Sequence, residues 1–117
     1  MKSNVIQSKS YAFALHIIRL YEILCNQKEF VLSKQLLRSG TSIGANVEEA
    51  IGAQTKKDFT AKMSIAAKEA RETNYWLRLL RDSGIAADED LDNLIGESVE
   101  LTKILSSIVK TSQESLK

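Results

Sequence analysis

Residues 36–50 read "LLRSGTSIGANVEEA", a run in which Gly40 and Gly44 stand among Ser39, Thr41, Ser42 and Asn46. Small polar residues of this kind suit a loop, and the glycines faintly resemble a phosphate cradle. The positions of the larger residues decide otherwise. Leu36, Gly40, Ile43, Val47 and Ala50 step by four, three, four and three. That phase runs unbroken through both glycines, which a loop has no reason to preserve. Each glycine costs a helix roughly 1 kcal/mol relative to alanine. Close approach by a neighbouring helix offsets this, because small residues lower the interaxial distance. A phosphate loop would need a strand before it and Gly-Lys-Ser/Thr after it, and neither is present. Residues 34–52 are therefore expected to form one helix.

Three further helices follow from the same reasoning. The first covers residues 4–25, with Phe13, Ile17, Leu20 and Leu24 at helical spacing and "NQKEF" (26–30) as the connection after it. The third begins at Thr55, an N-cap residue with Asp58 three positions on, a variant of the capping box. Its stripe is Phe59, Met63, Ala66, Ala70, Thr73, Leu77 and Leu80, and Gly84 stands where a left-handed C-cap belongs. At 1.5 Å per residue this helix is about 42 Å long. The fourth opens on "ADEDLD" (87–92), acids that suit a helix N-terminus, and continues through Leu91, Leu94, Ser98, Leu101, Leu105 and Ile108.

Composition agrees. The 117 residues include no proline and few aromatics, and no repeat or low-complexity tract appears. Helices joined by short connections run antiparallel to their neighbours. The expected fold is all-α: an elongated, antiparallel, up-down-up-down four-helix bundle, with residues 1–117 as a single domain. Net charge is +1, which offers no global attraction to nucleic acid or membrane. Cys25 is alone, so no internal disulfide forms, and a reducing cytoplasm is the expected setting. His16, Arg19 and Glu22 interrupt the apolar N-terminal stretch, which is too charged to span a bilayer and is read as a mature helix.

Helix one is apolar on more than one side. Beside its main stripe lie Tyr11, Ala14, Leu15, Ile18, Tyr21 and Cys25. A bundle helix needs one apolar face, and a large surplus marks an interface. Oligomerisation through Tyr11, Leu15, Ile18 and Tyr21 is the expectation.

Catalysis has thin support. His16 is the one histidine and reads as a partly buried, satisfied imidazole. Cys25 stands about 13 Å further along the helix, beyond reach of a thiol–imidazole pair. The metal candidates Glu49, Glu69 and Glu72 lack the histidines of a di-iron pattern, and the acidic run at 88–92 lacks a calcium loop's spacing and glycine. No catalytic residue, metal or cofactor is expected. On helix two, Ser39, Ser42, Asn46 and Glu49 form a polar seam. Its simplest role is a buried network that fixes helix register, with Asn46 meeting a partner across the bundle on helix three.

Charge is distributed unevenly. Residues 56–81 carry Lys56, Lys57, Lys62, Lys68, Arg71, Arg78 and Arg81 against Asp58, Glu69 and Glu72, whereas residues 82–100 carry seven acids and no Lys or Arg. Lys68, Arg71, Tyr75 and Arg78 share one stripe. Cations around an aromatic ring can hold phosphates while the ring stacks on a base. The alternative is a solvated face with Tyr75 lying flat on the bundle.

The residues 36–84 resemble the four-helix bundle family encoded by intervening sequences of bacterial 23S ribosomal RNA genes. The resemblance rests on Arg38-Ser39, Ser42-Ile43, Asn46, Glu49-Ala50 and the Lys56 to Phe59 opening of the next helix. It extends from about Val31 to the end of helix four, with Glu49-Ala50 in place of the family's usual Glu-Gly, and it adds Arg38 to the polar seam. It implies an antiparallel bundle that assembles as a homopentamer without known enzyme activity. The chain is also similar to the accessory variability protein of diversity-generating retroelements, a pentamer whose basic surface engages nucleic acid and a reverse transcriptase.

The expected function is therefore a non-enzymatic oligomer that binds structured RNA or DNA through phosphate contacts. Lys57, Lys68, Arg71 and Arg78 are the candidate contacts, with Lys62 and Arg81 beside them and Tyr75 as a stacking platform. The competing expectation is a scaffold whose basic and acidic stretches pair between subunits or with a protein partner.

Overall fold

The computed structural model describes the backbone of residues 2–86 and 89–117, and side chains from Val5 onward within those segments. Helix α1 spans Lys2–Asn26, α2 Leu32–Ile51, α3 Lys56–Ser83 and α4 Leu91–Ser115. The run 36–50 is helical throughout. Of the acidic opening of α4, Ala87 and Asp88 lie outside the described residues; the helix itself starts at Leu91, with Asp92 in its first turn.

The ends of the helices show why they stop where they do. Thr55 caps α3, its hydroxyl accepting from the Asp58 N–H at 3.0 Å. Gly84 closes α3 in the left-handed region at φ 79°. The end of α1 is less orthodox. Lys28 takes φ 65°, the Glu29 N–H donates to the Leu24 carbonyl and the Lys28 N–H to the Cys25 carbonyl, each at 2.9 Å. This is a Schellman closure built on a lysine, where glycine would be the unstrained choice. Glu29 then starts α2. Its carboxylate accepts from the N–H groups of Val31 and Leu32 at 3.2 Å and of Ser33 at 2.7 Å, and the Ser33 hydroxyl donates back to the Glu29 carbonyl at 2.8 Å. That cap lets α2 begin two residues before the expected Lys34.

The helices form a four-membered ring measuring 48 × 21 × 20 Å. Helix α2 packs on α1 and α3, and α3 on α4, while α1 and α4 touch least. Along α3, Thr60, Asn74 and Arg81 meet Ser112, Ser98 and Asp92 in turn, the falling numbers of an antiparallel neighbour. Phe13, Ile17, Leu24, Leu36, Ile43, Val47, Met63, Leu77, Leu80, Leu101 and Leu105 fill the interior. Burying a side chain of this size stabilises by about 1.5–3 kcal/mol. Between α1 and α4 a cleft of about 510 Å³ opens, lined in part by His16, Leu20, Leu94 and Glu97.

The two glycines of α2 are used differently. A Cβ on Gly40 would stand 2.8 Å from two carbons of Ile17, so α1 presses its side chain into the space. A Cβ on Gly44 would meet the Ser10 backbone oxygen at 3.4 Å, an ordinary contact. Close approach is thus enforced at one glycine only.

Two expectations need correction. His16 is exposed, not partly buried; its Nδ1 faces the two Glu97 oxygens at 3.2 and 3.3 Å on the α1–α4 flank. Asn46 does not reach α3. Its amide donates to the Ser42 carbonyl and hydroxyl at 2.9 and 3.0 Å on its own helix, a local bond that satisfies the group without a partner helix.

Candidate nucleic-acid interface

Helix α3 turns Lys57, Lys68, Arg71 and Arg78 away from the core, where a 3.6-residue period puts residues three and four apart side by side, while Glu69 is buried. Lys57, Lys68, Arg71, Tyr75 and Arg78 are all exposed. Among the described residues, no carboxylate lies within ion-pair distance of these four cations, the pairs formed being those of Lys9, His16, Arg38, Lys62 and Arg81.

Lys62 and Arg81 stand apart from this group. The Lys62 ammonium lies 3.4 Å from Glu49. Arg81 pairs with Asp82 at 2.8 Å and Asp92 at 3.1 Å. The hydrogen bond from Arg81 holds the Asp82 carboxyl below its usual range against desolvation, with the Arg81 and Arg78 charges adding to it. A phosphate approaching either residue would have to displace a carboxylate.

Tyr75 is also less available than a stacking platform requires. The Arg78 guanidinium carbon is 5.8 Å from its ring centroid, and the Trp76 ring meets it edge-on at 5.2 Å and 66°. One face is therefore occupied by a cation–π contact. The residue that sequence reading omitted is Lys103. It stands on α4, yet it lines one cleft with Arg71, Asn74, Arg78, Val99 and Thr102 of the α3–α4 groove. Only the antiparallel pairing of these helices brings it there, and no spacing within α3 predicts it.

The polar seam of α2 divides into parts. Arg38 reaches α3, donating to Glu69 at 3.1 Å and to Glu72, which also accepts from the Trp76 indole N–H at 3.2 Å. Ser39 shares a hydrogen bond of 2.9 Å with Thr73, whose hydroxyl also reaches the Glu69 carbonyl at 2.7 Å. Glu49 holds Lys62. The carboxylates considered for a metal, Glu49, Glu69 and Glu72, are thus each engaged with a cation. Ser42 and Asn46 bond within α2. Among the described residues every buried side-chain nitrogen and oxygen has a partner. The seam ties α2 to α3.

On α1, Tyr11, Leu15 and Ile18 are 65%, 44% and 37% exposed. With Ala14, Gly44 and Ala45 they line a groove between α1 and α2. Tyr21 is half-buried beside Cys25, whose hydrogen bond pushes the phenol upward.

These features define a helical bundle with a run of unpaired cations on α3 and exposed apolar side chains on α1. The chain belongs to the 23S rRNA-intervening sequence protein family, whose profile matches residues 2–107. It is similar to a protein of unknown function from the S23 ribosomal protein family of Bacteroides thetaiotaomicron, known from a crystal structure. The two share 52% identity over 94% of this chain and 99% of that chain, with a TM-score of 0.90. No curated protein matches. Among the described residues no helix is long and apolar enough to cross a membrane.

Proposed function

We propose that this protein is a non-enzymatic oligomeric bundle that binds structured nucleic acid through the outer face of α3. What supports the reading is a run of unpaired cations on the outer face of α3. Lys57, Lys68, Arg71 and Arg78 face solvent without a carboxylate partner among the described residues, whereas Lys9, Arg38, Lys62 and Arg81 are paired. An unpaired, extended set of cations gives phosphate contacts and little base readout. Assembly into a homo-oligomer, a pentamer by family resemblance, draws support from the exposed Tyr11, Leu15 and Ile18; it would repeat the basic face around the assembly and strengthen its field.

The test is a titration with structured RNA across a salt series. The expected result is an affinity that falls steeply with salt and collapses on charge reversal at Lys68, Arg71 and Arg78. Binding that ignores salt, or survives the triple reversal, rejects the reading. In that case the scaffold alternative gains, provided the oligomer itself proves salt-sensitive.

A further inference from the structure

An arginine must be held still to recognise a phosphate well, and what holds it determines what charge remains. Arg38, Lys62 and Arg81 are held by carboxylates, which cancel most of the field they would offer. In the α3–α4 cleft the holding is done by uncharged groups. Arg71 Nη2 donates to Ser106 Oγ at 3.2 Å. Arg78 Nε donates to Asn74 Oδ1 at 2.8 Å, and its guanidinium rests against the Tyr75 ring. Asn74 is itself fixed. Its amide donates to Ser98 Oγ at 2.9 Å, and that hydroxyl donates to the Ile95 carbonyl at 2.7 Å.

The chain of bonds from α4 through Asn74 to Arg78 sets direction without costing charge. Among the described residues, the Nη groups of Arg78 and the Nε and Nη1 of Arg71 have no protein acceptor. Lys103 lines the same space, which measures about 410 Å³, beside Thr102, whose hydroxyl donates to the Ser98 carbonyl at 2.8 Å. Two oriented guanidinium forks and an ammonium around one opening match the oxygens of a phosphate group.

We infer that the cleft between α3 and α4 is a discrete phosphate site, charged by Arg71, Arg78 and Lys103 and aimed by Asn74. Its ligand is a backbone phosphate of the nucleic acid. The inference rests on the proposed nucleic-acid reading for the source of the phosphate, and on the cleft alone for its chemistry. It also gives Tyr75 a different part: the ring positions Arg78 instead of stacking on a base.

The experiment uses the full chain and two probes, pyrophosphate followed by amide chemical shifts, and a structured RNA followed by filter binding across salt. Asn74→Asp and Lys103→Ala are the test variants, and Lys57→Glu with Lys68→Glu is the comparison. Pyrophosphate is expected to shift amides near residues 71–78 and 99–106. Asn74→Asp keeps the bond to Arg78 but sets a carboxylate against it. It should weaken both probes about tenfold or more while the thermal melt is retained. Lys103→Ala should lower the salt slope by about one, and it carries the test if Asn74→Asp fails to fold. If RNA binding is unaffected by Asn74→Asp and Lys103→Ala but lost with Lys57→Glu and Lys68→Glu, the cleft is overturned and the α3 reading stands. Pyrophosphate at the cleft without RNA binding keeps the phosphate site and overturns the nucleic acid as its source. Neither probe acting there overturns both.

Discussion

Gly40 of α2 and Ile17 of α1 interlock: the hydrogen of the glycine occupies the place where a Cβ would stand 2.8 Å from two Ile17 carbons. Ile17 is fully buried and β-branched, so it has little freedom to retreat. Gly40→Ala should therefore destabilise the fold by about 1–3 kcal/mol despite alanine's better helix propensity. Gly44→Ala faces ordinary contacts and should be neutral or stabilise by up to about 1 kcal/mol. Urea midpoints of the two variants provide the comparison, and equal losses at both sites would remove the distinction.

Glu29 sets the start of α2 through three backbone N–H groups. Glu29→Ala should cost about 1 kcal/mol, the ordinary worth of a helix cap. Desolvation raises its carboxyl, but the hydrogen bonds from Ser33, Leu32 and Val31 outweigh it and hold the group below the usual glutamate range. The folded value is thus the lower one. Its stabilisation is complete above that range and is lost as pH falls through it and below. The stability gap between wild type and Glu29→Gln should narrow on acidification; a constant gap would contradict the ionic cap.

Thr73 and Ser39 form the buried link between α3 and α2. Thr73→Val leaves Ser39 with only a long 3.4 Å bond to the Leu36 carbonyl. Ser39→Ala leaves Thr73 still bonded to the Glu69 carbonyl. The first change should cost about 1–3 kcal/mol and the second less. Adding Ser39→Ala to Thr73→Val should recover part of the loss in a double-mutant cycle, because the hydroxyl left short of a partner is then gone.

The apolar flank of α1 makes a separate prediction. Leu15→Glu and Ile18→Glu place charge on side chains already 44% and 37% exposed, so the chain's own core is undisturbed. If the proposed assembly uses this flank, sedimentation should show a smaller species than wild type with helical content retained. An unchanged oligomer would move the interface elsewhere.

The fold was legible because hydrophobic phase survives residue type: Leu36 to Ala50 kept its rhythm through two glycines, and Thr55 and Gly84 announced their caps. Features that depend on one side chain's reach were not legible. Glu29 lay inside what reads as a connection, and Lys28 adopts a conformation its type disfavours. Asn46 could bond at home or across the bundle, and sequence does not choose between these. The basic face was half visible. Its α3 members share a stripe, but Lys103 joins them through packing, and the carboxylates that occupy Lys62 and Arg81 include Glu49 and Asp92 on other helices.

The sparse contact between α1 and α4 has a consequence for how the molecule comes apart. That flank is bridged by Lys9 with Glu100 and His16 with Glu97, exposed pairs of the kind that add little. Helix α1 is hence held mainly by α2, and of the four it is the one expected to detach first. Deuterium should enter its amides first, and the opening bares Phe13 and Ile17, an invitation for a neighbouring copy to lend its own first helix in exchange.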